Sequence, residues 1–171
     1  VRPLRMTSGM SEFNEVFYTD AVTPKHEVVG GVNNGWAVAM TLLGFERGEA
    51  AATLPIRFQA ELDRLFILAK ERGLADQPAI RQRLAACHTK VQIMRFNGMR
   101  ALTKQLKGEP LGAETSINKL LRAELEVQLG EIALEMQGSA GHLEREVDGG
   151  RWQRFALSWP EVVIGGGTPN I

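Results

Sequence analysis

Apolar residues recur every three or four positions through most of this chain, the spacing that lines them up on one face of a helix. Phe58, Leu62, Leu65, Phe66 and Ala69 form one such stripe and end near Gly73. Ile80, Leu84, Cys87, Val91 and Met94 form a second, started by Asp76 and Pro78. Ile117, Leu121, Leu125, Leu129, Ile132 and Met136 form a third. The run Lys107-Gly108-Glu109-Pro110 separates the last two, and Gly138 is placed to cap the third at its C-terminus. Ahead of these, Asn34 is a plausible N-cap for a helix carrying Trp36, Met40 and Leu43, with Trp36 read as core. Pro55 marks a helix start or a kink, because it lacks an N–H and clashes with the preceding turn. After Gly138, Trp152, Phe155 and Trp159 predict a short aromatic helix stopped by Pro160.

Residues 1–33 break this pattern. Phe13, Val16, Phe17 and Tyr18 favour strand, and Gly9, Pro24, Gly30 and Gly31 punctuate the stretch. One or two strands followed by an extended link are predicted, and a hairpin this small is expected to belong to a larger sheet. The fold class is therefore mainly α: an antiparallel helical bundle preceded by a short β segment. Residues 1–33 would form the end of a β domain and its linker, and residues 34–171 the helical domain.

Composition narrows function by exclusion. Twenty basic residues balance twenty acidic ones, so no long-range field favours nucleic acid or an anionic membrane. No apolar run is long enough to span a bilayer. The single cysteine, Cys87, cannot form an internal disulfide and lies on an apolar stripe, where it reads as a small buried hydrophobe. His26, His88 and His142 show no metal-ligand spacing, and methionines on the helix faces read as core filler. With no basic-then-apolar leader, a cytoplasmic protein is expected; a chain beginning at Val1 is expected to be a processed or excised piece.

Two segments carry more specific information. Gly35-Trp36-Ala37-Val38-Ala39-Met40-Thr41-Leu42-Leu43-Gly44-Phe45-Glu46-Arg47 opens the helical region, and Ile164-Gly165-Gly166-Gly167-Thr168-Pro169-Asn170-Ile171 ends the chain. With Phe13 to Asp20, Thr23-Pro24, Val29-Gly30 and Asn118-Lys119-Leu120, they resemble in order and spacing the carboxyl-terminal portion of the acyl-CoA dehydrogenases. The resemblance covers nearly the whole chain. It implies the last strands of a middle β domain and then the helical domain, cut at the flavin loop.

Within that family a carboxylate removes the α-proton of an acyl-CoA thioester while FAD accepts hydride from the β-carbon. The base must reach that carbon and be partly desolvated, and donors at the thioester oxygen must stabilise developing enolate charge. Many members place the base in the terminal loop, where this chain has Gly166. The isovaleryl and long-chain branches instead place it in the helix after the Gly-Trp, where this chain has Glu46. An acid at one position and a glycine at the other is the pattern of a relocated base. The resemblance thus implies Glu46 as catalytic base and the backbone of Gly166 and Gly167 near the thioester. It implies Phe45 and Arg47 along the CoA path, and Arg72, Gly138, Thr168 and Asn170 at the flavin. On the residues alone, Glu46 beside Arg47 reads as a solvated pair on a helix, as charged helix residues usually are.

Two departures stand out. Glu71-Arg72-Gly73-Leu74 keeps the arginine but lacks the Phe-Gly with which many members contact a neighbouring subunit's flavin, and Ser139 replaces a second glycine. These suit a branch handling branched, aromatic or polycyclic acyl groups. They also suit an alternative: a non-catalytic helical oligomerisation module, or an inactive subunit of a mixed complex. The resemblance further implies an acyl-CoA substrate, an electron-transfer flavoprotein as partner, and a homo- or hetero-tetramer.

Overall fold

The computed structural model describes all residues except 113–114, 144–147 and 166–171; for 46–51, 115 and 148 it describes the backbone alone. Two short strands, β1 (Arg2–Leu4) and β2 (Phe13–Glu15), pair antiparallel with Leu4 opposite Phe13. Three long helices follow: α1 (Gly35–Glu71), α2 (Pro78–Leu106) and α3 (Thr115–Gln137). A 3-10 turn at Gly138–His142 leads towards the short helices α4 (Arg151–Leu157) and α5 (Trp159–Ile164).

The three predicted stripes meet in one core. Phe58, Leu62 and Leu65 of α1 join Leu84, Val91 and Met94 of α2 and Leu125, Leu129 and Ile132 of α3, closed at the side by Trp152 of α4. Each such side chain removes enough apolar surface from water to contribute about 1.5–3 kcal/mol. Polar pairs along the seam fix the helix directions. Arg83 pairs with Glu135, Lys90 with Glu124 at 2.7 Å, and the Asn97 amide donates to Asn118 Oδ1 at 3.2 Å. Numbers rising on α2 meet numbers falling on α3, so the two run antiparallel. Gln92 donates to Gln59 of α1, which places the second half of α1 beside the middle of α2.

Several local expectations are corrected. Pro55 does not start a helix: it lies inside α1, which runs through it, and the residue is buried. Trp36 is 77% exposed rather than core, because the first half of α1 extends beyond its neighbours. Ile117, Met40 and Met99 are likewise exposed, whereas Met94 and Met136 are buried. Pro160 does not stop a helix but occupies the first turn of α5, where its missing N–H costs no hydrogen bond. Asn34 holds the N-cap position of α1, yet its amide donates back to the Gly30 carbonyl instead of accepting from the helix. The sheet among the described residues has two strands only.

Candidate functional site

α1 is the element that sets the geometry. At a rise of about 1.5 Å per residue its length comes to about 55 Å. The α2 and α3 seams cover only its second half. Among the described side chains of residues 35–54 none is buried, and Phe45 is 76% exposed. Glu46 and Arg47 follow within this projecting half as helical residues, their side chains lying outside the described set. Arg72 caps the other end of α1, exposed, with its N–H donated to the Leu68 carbonyl at 3.0 Å. About 39 Å of helix separates Glu46 from Arg72.

The remaining candidates sort to the same two ends. α3 runs antiparallel to α2 and therefore parallel to α1, so its C-terminal Gly138 lies at the Arg72 end. Gly138 adopts φ +60 and is exposed, and nothing lies within 4 Å of where a Cβ would stand. The turn after it therefore presents bare backbone beside solvent. α5 lies against the first half of α3, where Lys119 Nζ donates to the Val163 carbonyl at 3.2 Å. Gly165 then leaves α5 with its N–H on the Glu161 carbonyl at 2.7 Å. Gly166, Gly167, Thr168 and Asn170 lie outside the described residues; Gly165, where α5 ends, lines a cavity with Met6, Thr7 and Phe13 of the lead-in. Along the bundle axis, the end of α5 beside the first half of α3 lies towards the projecting half of α1, and Arg72 and Gly138 lie towards the opposite end.

Between these ends the chain builds a polar cavity of about 330 Å³ where α1, α3, α4 and α5 converge on the lead-in segment. Glu61 of α1 pairs with Arg151 of α4, and Glu126 of α3 lies 3.7 Å from the Arg122 guanidinium. Both glutamates are buried. Burial pushes the Glu126 carboxyl up; Arg122 and Arg57 pull it down less strongly, and Glu161 adds to the rise. Thr7 Oγ1 donates to the Leu157 carbonyl at 2.8 Å and ties the lead-in to the end of α4. Burial likewise pushes the Cys87 thiol up, which suits an unreactive core residue.

Two residues central to this arrangement were not singled out from sequence: Glu61 and Glu126. Each is a polar residue at the edge of an apolar stripe, a signal that solvated helix positions share. Among the described residues no group of three or more histidine, cysteine or acidic side chains could hold a metal. No described helix is long and apolar enough to cross a membrane.

Comparison with known proteins bears directly on this geometry. The acyl-CoA dehydrogenase IpdE1 of Mycolicibacterium smegmatis is 39% identical over 171 residues, covering all of this chain and 42% of that protein. IpdE1 of Mycobacterium tuberculosis is 35% identical, again over the whole chain and 44% of the relative. A solved structure titled Tcur3481-Tcur3483 steroid ACAD superposes with a TM-score of 0.82 at 25% identity, over 99% of this chain and 44% of its own. The chain thus spans less than half the length of the relatives it matches. The family model for the acyl-CoA dehydrogenase C-terminal domain matches residues 33–171, and the chain belongs to the acyl-CoA dehydrogenase family.

Proposed function

We propose that this chain is the carboxyl-terminal part of a FAD-dependent acyl-CoA dehydrogenase that introduces an α,β double bond into an acyl-CoA thioester, with Glu46 as the base. The observation that carries the reading is the direction in which α5 ends. The helix that bears Glu46 and Arg47 extends past the bundle, and Gly165, where the Gly-Thr-Pro-Asn loop starts, lies towards that projecting half. A carboxylate on a rigid helix can be held at a fixed distance from a thioester α-carbon. A glycine at position 166 has no side chain to keep a thioester carbonyl, where enolate charge develops, from approaching a backbone N–H donor. Phe45 would flank the acyl-CoA path, and Arg47 would meet its phosphates.

The residues at the opposite end suit a flavin. An exposed guanidinium at Arg72 and the open backbone at Gly138 are an apt cation and surface for a dinucleotide's phosphates. Thr168 and Asn170 would contribute from the terminal loop. FAD, when bound, supplies the hydride acceptor. Because the two groups of residues lie at opposite ends of one bundle, each site would be completed by a second copy or a related subunit, which fits a tetramer. Electrons would pass onward to an electron-transfer flavoprotein, in the cytoplasm.

The substrate class follows from the relatives. One is titled a steroid ACAD, and the absent Phe-Gly after Arg72 marks a divergent branch. A bulky cyclic acyl group is therefore the substrate to test first. The same departure favours, as a second reading, a subunit that assists a mixed complex without holding flavin itself.

The test uses protein at the full length of its relatives, loaded with FAD and titrated with acyl-CoAs carrying straight-chain and polycyclic acyl groups. Flavin absorbance should bleach with wild type. The Glu46→Gln variant should bleach slower by about 10²–10⁴-fold, the usual contribution of a positioned general base. Bleaching that survives the substitution would move the base elsewhere, and failure to bind flavin would favour the assisting subunit.

A further inference from the structure

Among the described residues, the turn that follows α3 is bonded from α4 by the side chain of Gln153. Gln153 of α4 is buried, and its Nε2 donates towards three oxygens: Gln137 Oε1 at 3.1 Å, the Gly141 carbonyl at 3.1 Å and the Ala140 carbonyl at 3.4 Å. Those acceptors span the Gly138–His142 turn and the last residue of α3. The turn is seated tightly on the helix it leaves. A Cβ on Gly141 would stand 2.8 Å from the Leu134 carbonyl oxygen, so the backbone approaches there as only glycine allows. Gln153 itself is anchored, because Trp152 beside it is 1% exposed and stacks edge-on with Phe155 at 5.6 Å. A rigid element thus reaches across to fix a short turn whose own residues are small and carry little packing.

We propose that Gln153 is a positioning residue for the flavin-binding turn: its carboxamide fixes the backbone of 138–141, and so the conformation in which Gly138 faces the cofactor. The inference rests on the reading of this chain as part of a flavoenzyme. It does not touch the base or the thioester. Its chemistry is specific to an amide donor, because three converging oxygens need N–H groups and repel a carboxylate. Ser139, which stands where many relatives have a second glycine, leaves the turn with fewer glycines and a defined shape to be held.

The experiment compares wild type, Gln153→Met and Gln153→Glu at full length, with two readouts. Amide hydrogen exchange over residues 138–143 of the apoprotein needs no flavin. Flavin affinity, followed by quenching of FAD fluorescence, reads the consequence. Gln153→Met should speed exchange in the turn and weaken flavin binding by about tenfold or more at every pH. Gln153→Glu should be as weak near pH ~8 but recover towards pH ~5.5, where the protonated carboxyl regains one O–H donor; wild type should show no such profile. A merely structural glutamine would give no pH recovery of affinity. Unchanged exchange and unchanged affinity in Gln153→Met would overturn the proposal, as would a Gln153→Glu profile that does not recover. Wild type that binds no flavin would overturn the functional reading instead, and the exchange data would then decide alone whether Gln153 holds the turn.

Discussion

At the scale of single residues, burial decides more than charge. Glu126 lies in the polar cavity with Arg122 on its own helix, Arg57 on α1 and Glu161 on α5, yet burial is the largest influence on its carboxyl. A raised folded value means the folded state holds its proton more tightly than the unfolded chain. Stability therefore falls as pH rises from the ordinary carboxylate range through the raised value, and the penalty is fully present above it. Glutamine keeps the shape without the charge. Glu126→Gln should raise the thermal midpoint at neutral pH, and the gain should shrink as the pH approaches the ordinary carboxylate range. A midpoint below wild type at neutral pH would mean that the pairing with Arg122 outweighs the cost of burial. Cys87 shows the simpler side of the same rule: a thiol on an apolar stripe is buried, as its neighbours in sequence already require.

At the scale of elements, the long stripes were legible and the short pieces were not. The stripes over Phe58–Ala69, Ile80–Met94 and Ile117–Met136 specify three helices because many positions repeat one period, and all of these positions but Ile117, which is exposed, join or pack against the core. Trp36 misled because one large apolar residue carries no information about how far a helix outruns its neighbours. Pro55 read as a helix start and Pro160 as a stop both failed, because proline's effect depends on where a helix begins, and tertiary contacts set that. α5 makes the point well: at six residues it is too short to persist alone. Its C-terminal end is held by the Lys119 ammonium on the Val163 carbonyl, a cation where the helix dipole favours one. Replacing Lys119 with methionine keeps the stem and removes the charge. Exchange at the Gly165 amide should then speed by about two- to fivefold, matching the few tenths to about 1 kcal/mol of such an interaction, while Lys119→Arg should stay near wild type. Equal rates in Lys119→Met and wild type would show that packing on α3 suffices to hold α5. The same cap sets where the glycine loop departs, which links an element of six residues to the candidate thioester site.

At the scale of the whole molecule, the proposed site, with Glu46 and Arg72 at the two ends of a long helix, could not be closed within one copy of the bundle. The projecting half of α1 is apolar and exposed, with Trp36 and Phe45 more than three-quarters in solvent, and a groove of about 610 Å³ lined by Pro55, Ile56, Val91 and Met99 continues it. Surfaces of this kind mark faces that another part of an assembly covers. If copies related by a two-fold axis exchange ends, the Glu46 of one meets the Arg72 of the other. Subunit mixing reads this directly. Glu46→Gln should lack the base, Arg72→Ala should lose flavin contact, and each alone should be nearly inactive at full length. Random reassortment of the two makes half the pairs mixed, and each mixed pair has one site with both residues intact, so about a quarter of the wild-type rate should return. A mixture no more active than the average of its parents would place both residues in the same copy's site. Since about 39 Å of helix lies between them, that outcome would remove Arg72, and Gly138 at the same end of the bundle, from the flavin and leave Thr168 and Asn170 to hold it.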